Sequence, residues 1–189
     1  MKSYVWSFPT RLLHVLLAVS FTVAYVLGDF NELRRFHFAF GAFVGTLIGF
    51  RLLYGVIGPK YSNFKDFPIG LSHQKGFIST FFSTPITQAG HNPLASLVMI
   101  AILLVGIGCS LTGFTLYAAE NELISMSRGE GLLGEIHEVL ANLFLLLVGI
   151  HLVGVLVDFI FHRATGTLKS IVTGYKTIEG ENTKLSTAH

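Results

Sequence analysis

The sequence predicts an all-α membrane protein, a four-transmembrane-helix bundle, on three observations. The chain of 189 residues is 51% hydrophobic and only 13% charged, with a mean hydropathy of +0.63, which is too little polar surface to coat a water-soluble globule. Four apolar segments each reach the length of about 20 residues that a helix needs to cross a bilayer. The single cysteine, Cys109, lies inside one of these segments, so no disulfide, no cysteine-based zinc site and no CxxCH attachment can form within the chain.

The first segment runs from Pro9 to Gly28. Lys2 ahead of it and Arg11 at its start resemble the charged start of a signal peptide, but no A-x-A-like site follows Val26-Leu27-Gly28, so it is expected to stay as a helix. The second, Phe36 to Gly58, follows a short loop in which Asn31 is the expected N-cap. The connection from Pro59 to Asn92 is long, and its Gly76-Phe77-Ile78-Ser79-Thr80-Phe81-Phe82 stretch reads as an interfacial helix. The third segment spans Pro93 to Tyr117 and the fourth Leu132 to Phe161. Past Tyr175 nothing is left to bury. The expected organisation is one membrane domain over residues 1–176 and a polar, disordered, cytoplasmic tail over 177–189.

Short loops facing the cytoplasm collect Lys and Arg. With four crossings, one side holds Arg34, Arg35 and Arg128, and the other holds the rest of the 13 Lys and Arg residues, from Lys2 and Arg11 to Lys184. Both termini and the long loop are therefore expected in the cytoplasm of a bacterium, and the inner (cytoplasmic) membrane is the expected location. The two outer loops carry Asp29, Glu32, Glu120, Glu122, Glu130, Glu135 and Glu138, so the outer face is acidic. No nucleic-acid partner is expected.

Of eight histidines, four fall within or at the edge of the segments: His14, His37, His137 and His151. On one helix, His137 and His151 are separated by a rise of about 21 Å and by a rotation about 40° short of whole turns, so they face one way at two depths. His37 and His137 both open helices that run inward from the outer side, and so share the outer depth. His14 and His151 share the inner one. A lone histidine within a span is more often a hydrogen bond between helices than a ligand. Two pairs of imidazoles at two levels instead match the axial ligation of two haems in the bundle core, because an iron porphyrin takes one axial nitrogen from each face. Gly41, Gly45 and Gly49 follow His37 at four-residue steps and clear a groove for a flat macrocycle, or serve as a helix-packing motif. Arg51 lies on that face at the inner level, where a haem propionate or, by snorkelling, the headgroups would answer its charge. His73, His91, His162 and His189 read as non-ligands and Cys109 as buried and inert.

These residues stand in recognisable company. Val5-Trp6-Ser7-Phe8-Pro9-Thr10-Arg11-Leu12-Leu13-His14, His37-Phe38-Ala39-Phe40-Gly41 leading to Arg51, His91-Asn92-Pro93-Leu94, and His137 with His151 resemble the prokaryotic cytochrome b561 and nickel-hydrogenase b-type cytochrome family. The sequence departs from it at Val15 and Tyr54, where the family commonly has tryptophan. The resemblance implies two non-covalent haems b, each held by two histidines, and electron exchange with membrane quinone on behalf of a partner. The expected partner is a periplasmic c-type cytochrome or oxidoreductase, alongside the lipid bilayer, with a homodimer compatible. The chain then acts as an electron-transfer subunit of a quinone-linked oxidoreductase in a respiratory chain rather than as a stand-alone enzyme. Quinone is expected at the cytoplasmic haem, beside Arg11, His14, Arg51 and His91, with His91 as a proton relay or an ordinary interfacial histidine. Two other readings are a superoxide:quinone oxidoreductase, disfavoured by the acidic outer loops, and a haem-free anchor or transporter.

Overall fold

In the computed structural model, residues 2–80, 90–125, 130–161 and 166–177 are described. Four helices among them are long and apolar enough to cross a membrane: α1 (Phe8–Leu27), α2 (Arg34–Ile57), α4 (Pro93–Glu120) and α5 (Glu130–Phe161). They coincide with the four apolar segments to within a few residues. A shorter helix, α3 (Leu71–Thr80), takes in the start of the Gly76–Phe82 stretch, whose last two residues lie outside the described ones.

Local chemistry sets the helix ends. Asn92 caps α4 by accepting from the Ala95 backbone N–H at 2.7 Å, and Pro93 takes the first helical position, where its missing N–H costs nothing. At the other end of α4, Glu122 adopts a left-handed conformation with φ 56°. The Leu123 N–H then returns to the Ala118 carbonyl and the Glu122 N–H to that of Ala119, which satisfies two terminal carbonyls. After α2, Pro59 prevents continuation. The expectation for Asn31 is corrected: it opens a 3-10 turn, Asn31–Leu33, preceded by Phe30, and α2 starts at Arg34. The turn uses the N–H groups that a capping side chain would otherwise have served.

The chain divides into two compact units. One comprises Leu12–Leu53 and Met99–Ile150 and holds segments of all four long helices. Its core is apolar and tight. Phe144 of α5, 2% exposed, stacks on Phe21 of α1 with ring centroids 4.2 Å apart. Ile48 of α2 and Phe144 both press on Gly106 of α4, where an added Cβ would meet them at 2.6 and 3.3 Å. Tyr25 of α1 donates to Asn142 Oδ1 of α5 at 2.7 Å, and Phe38 of α2 meets Tyr117 of α4 edge-on. On α5, Leu132, Val139 and Leu146, at seven-residue steps, are 64%, 65% and 59% exposed, while His137 and Phe144 lie on the opposite face. An apolar outside around an equally apolar inside is what lipid contact allows.

The other unit comprises Met1–Arg11, Tyr54–Val98 and His151–His189. Here the structure adds elements that the sequence reading lacked: strand β1 (Lys2–Tyr4) pairs antiparallel with β2 (Tyr175–Thr177), Tyr4 opposite Tyr175. Three-residue strands are too short to show a two-residue alternation in sequence. A seven-residue helix, α6 (Thr167–Thr173), precedes β2. It ends at Gly174, whose φ of 82° and close approach to the Tyr4 ring and the Trp6 carbonyl exclude any side chain. Trp6 Nε1 donates to the fully buried Ser170 Oγ at 3.0 Å. Of the tail expected from residue 177, Thr177 belongs to β2 and 178–189 lie outside the described residues.

Candidate metal centre

The site begins with two histidines in the same unit. His37 sits in the first turns of α2 and His137 in the first turns of α5, and their rings lie edge-on with centroids 6.2 Å apart and planes at 88°. His37 Nδ1 lies 2.8 Å from the Ala24 carbonyl of α1. His137 Nδ1 lies 3.1 Å from the Cys109 carbonyl and 3.0 Å from Thr112 Oγ1, both on α4, with the Cys109 sulfur at 3.8 Å. A carbonyl only accepts, so each Nδ1 carries a proton, and in the neutral ring Nε2 then keeps a lone pair that a metal would take.

Glycine makes room for the His137 ring and packs beside that of His37. A Cβ at Gly113 would come within 2.8 Å of His137 Cε1, and one at Gly28 would stand 3.4 Å from His37 Nδ1. Gly28, Gly113, Thr112 and the Cys109 carbonyl touch the two histidines and were missed by sequence reasoning. They reach the histidines from other helices, and sequence spacing carries no signal for contacts between helices.

The ring spacing is one that would let the two imidazoles hold a metal between them. With metal–nitrogen bonds of about 2 Å and ring centres roughly 1 Å behind each nitrogen, two axial imidazoles stand about 6 Å apart. Among the described residues no group of three or more His, Cys, Asp or Glu side chains converges to hold a metal. His37 and His137 would be the protein's ligands to a haem iron, whose remaining ligands the macrocycle would itself supply. Along α2, a Cβ at Gly41 or Gly49 would meet nothing within 4 Å, whereas at Gly45 it would lie 3.1 Å from Ser110 Cβ of α4. The glycine row thus divides: Gly45 serves helix contact, and Gly41 and Gly49 keep their face uncrowded.

The other expected site residues are spread over both units. His14 lies on α1 seven residues before Phe21, in the unit that holds the His37 and His137 pair; Arg51, buried on α2, belongs to that unit as well. His151, half-buried on α5, belongs to the other, as do Arg11 and His91. Arg11 donates through a terminal guanidinium nitrogen to the Val172 carbonyl and lies over the Phe8 ring. His91 makes tilted ring contacts with Trp6, centroids 4.5 Å apart, and with Phe67, 4.7 Å apart. Nearby in the chain, Ser7 Oγ bonds Tyr54 Oη and Thr10 Oγ1, and Thr10 bonds Ser62, which joins four hydroxyls. Burial pushes the Lys176 ammonium below the usual lysine range, opposed by the Asp158 carboxylate. His73 is exposed in α3; His162 and His189 lie outside the described residues.

No curated protein and no solved structure matches the chain. The family model of prokaryotic cytochrome b561 matches residues 5–174, which takes in all four long helices, the histidines on them and the start of the terminal strand pair's surroundings at Val5 and Gly174. Four apolar helices and this match over residues 5–174 agree: the chain belongs to the prokaryotic cytochrome b561 family, multi-pass membrane b-type cytochromes that bind haem b and transfer electrons.

Proposed function

We propose that the chain holds two haems b, one between His37 and His137 and one between His14 and His151. It carries electrons across the bacterial inner membrane between membrane quinone or quinol and a periplasmic redox partner. The observation that carries this reading is the His37 and His137 pair, 6.2 Å apart with both Nδ1 atoms tied to acceptors. Haem b supplies reversible one-electron chemistry when bound. Two imidazoles per iron leave no position for oxygen or substrate, which suits outer-sphere transfer to another carrier.

The second level rests on helix geometry. His137, Phe144, His151 and Asp158 follow at seven-residue steps on one face of α5, so His151 lies about 21 Å along the axis from His137. On α2, His37, Val44 and Arg51 follow the same step, and buried Arg51 would answer a haem propionate. Quinone reacts at this second level. Arg11 offers a fixed cation there and His91 a titratable ring for protons. The β1–β2 pairing brings the described ends of the chain together, as an even number of crossings requires, and the Lys and Arg bias supports a cytoplasmic position for both.

The test is selective loss, read from reduced-minus-oxidised spectra and haem content per chain. The unaltered protein should hold two haems. His37→Ala should remove one and leave the other's spectrum intact, and His14→Ala should remove the opposite one. Full haem content in both variants would overturn the assignment.

A further inference from the structure

His37 and His137 are held through Nδ1 in unlike ways. His37 meets one acceptor, the Ala24 carbonyl, at 2.8 Å. His137 lies between two oxygen acceptors, the Cys109 carbonyl at 3.1 Å and Thr112 Oγ1 at 3.0 Å, with the Cys109 sulfur farther off at 3.8 Å. The Thr112 hydroxyl has backbone acceptors of its own, the Gly108 carbonyl at 2.9 Å and the Cys109 carbonyl at 3.0 Å. With its proton given to Gly108, a lone pair of Oγ1 accepts from the His137 N–H. A hydroxyl that donates in this way is the better acceptor, because linked hydrogen bonds polarise one another.

From this geometry we infer that Thr112 is a positioning residue that sets the reduction potential of the metal ligated by His137. The inference rests on the reading of His37 and His137 as an axial pair. By drawing on the Nδ1–H, Thr112 makes the imidazole a more basic ligand, as partners of metal-bound histidines do. A more basic ligand favours the oxidised, more positive ion and lowers the potential. Thr112 contributes the side-chain oxygen at this nitrogen; the other oxygen acceptor is backbone and cannot be substituted.

The experiment is a spectroelectrochemical titration of the full-length, haem-loaded protein with Thr112→Val and Thr112→Ser. Valine keeps the shape and removes the oxygen, whereas serine keeps the oxygen. Thr112→Val should raise one midpoint by the equivalent of about a threefold change in its reduction equilibrium, about 30 mV at about 59 mV per decade, and leave the other midpoint in place. Thr112→Ser should stay at the original value. No shift in the valine variant, or an equal shift in the serine variant, overturns the inference. If Thr112→Val does not assemble with haem, Thr112→Ala makes the same comparison, being too small to crowd the ring. His37→Ala and His137→Ala separate the two ideas. If either keeps a full haem complement, the axial-pair reading falls. If both lose one haem while the Thr112 variants keep the original midpoints, only the role of Thr112 falls.

Discussion

Gly113 and the His137 ring occupy one another's space: a single methyl group on Gly113 would stand 2.8 Å from Cε1 of the imidazole. A contact that short forces the ring to move, and a ligand ring displaced by a few tenths of an ångström no longer keeps its spacing from its partner. Gly113→Ala should therefore lower haem content at the site proposed for His37 and His137, measured as haem per chain. Gly134→Ala, where a Cβ meets nothing within 4 Å, is the matched control and should keep full content. Equal haem in both variants would show that the ring tolerates the methyl group.

Phe144 and Val139 lie five residues apart on α5, with 2% and 65% of their surfaces exposed. Phe144→Ala removes the ring that stacks on Phe21 and leaves a cavity, at a cost of about 3 kcal/mol or more. Val139→Ala removes a lipid-facing side chain and should change stability by less than about 0.5 kcal/mol. Thermal unfolding in detergent should place Phe144→Ala well below the original midpoint and Val139→Ala near it.

Lys176 lies buried in β2, and burial holds its ammonium below the ordinary lysine value of 10.5. Below that depressed value the lysine is charged in both states, and folding bears the cost of burying the charge. As pH rises from the depressed value towards 10.5, the folded chain releases the proton before the unfolded one, so stability increases across that alkaline window. Hydrogen exchange of the β1–β2 amides, corrected for the intrinsic effect of pH, should show protection rising through it. Lys176→Met should remove the rise. Asp158→Asn, by taking away the opposing carboxylate, should start the rise at lower pH.

Glu120 and Glu122 are exposed at the end of α4, with Glu120 3.3 Å from Arg34. Together with the other acidic residues of the loops proposed as external, they make a surface for a basic partner. Electron transfer with a basic c-type cytochrome should slow steeply as salt is added, and replacing Glu122 and Glu135 with Gln should flatten that dependence. A rate indifferent to salt, or faster transfer with an acidic partner, would count against a basic partner.

The histidine pair was only half legible beforehand. The matching depths of His37 and His137 follow from helix rise and direction, and the structure brings their ring centroids to 6.2 Å with perpendicular planes. The Ala24 carbonyl, Thr112 and Gly113 were not legible, because each comes from a helix remote in sequence and acts through a contact that only packing creates. Gly45 shows the same limit in reverse. Its four-residue step suits a groove or a helix contact equally well, and Ser110 decides for contact.

By itself, the sequence determined that this chain crosses a membrane on four helices, because burying or exposing twenty consecutive apolar residues is settled by transfer to lipid, residue by residue, whatever their neighbours. It also determined which histidines share a helix face, because rotation and rise per residue are constants of the helix. Only the tertiary structure decided the protonated nitrogen of His37 and His137, the glycines beside their rings, and the closure of β1 on β2. Those depend on atoms brought within a few ångströms by packing, and hydrogen bonds and steric contacts act only over that range.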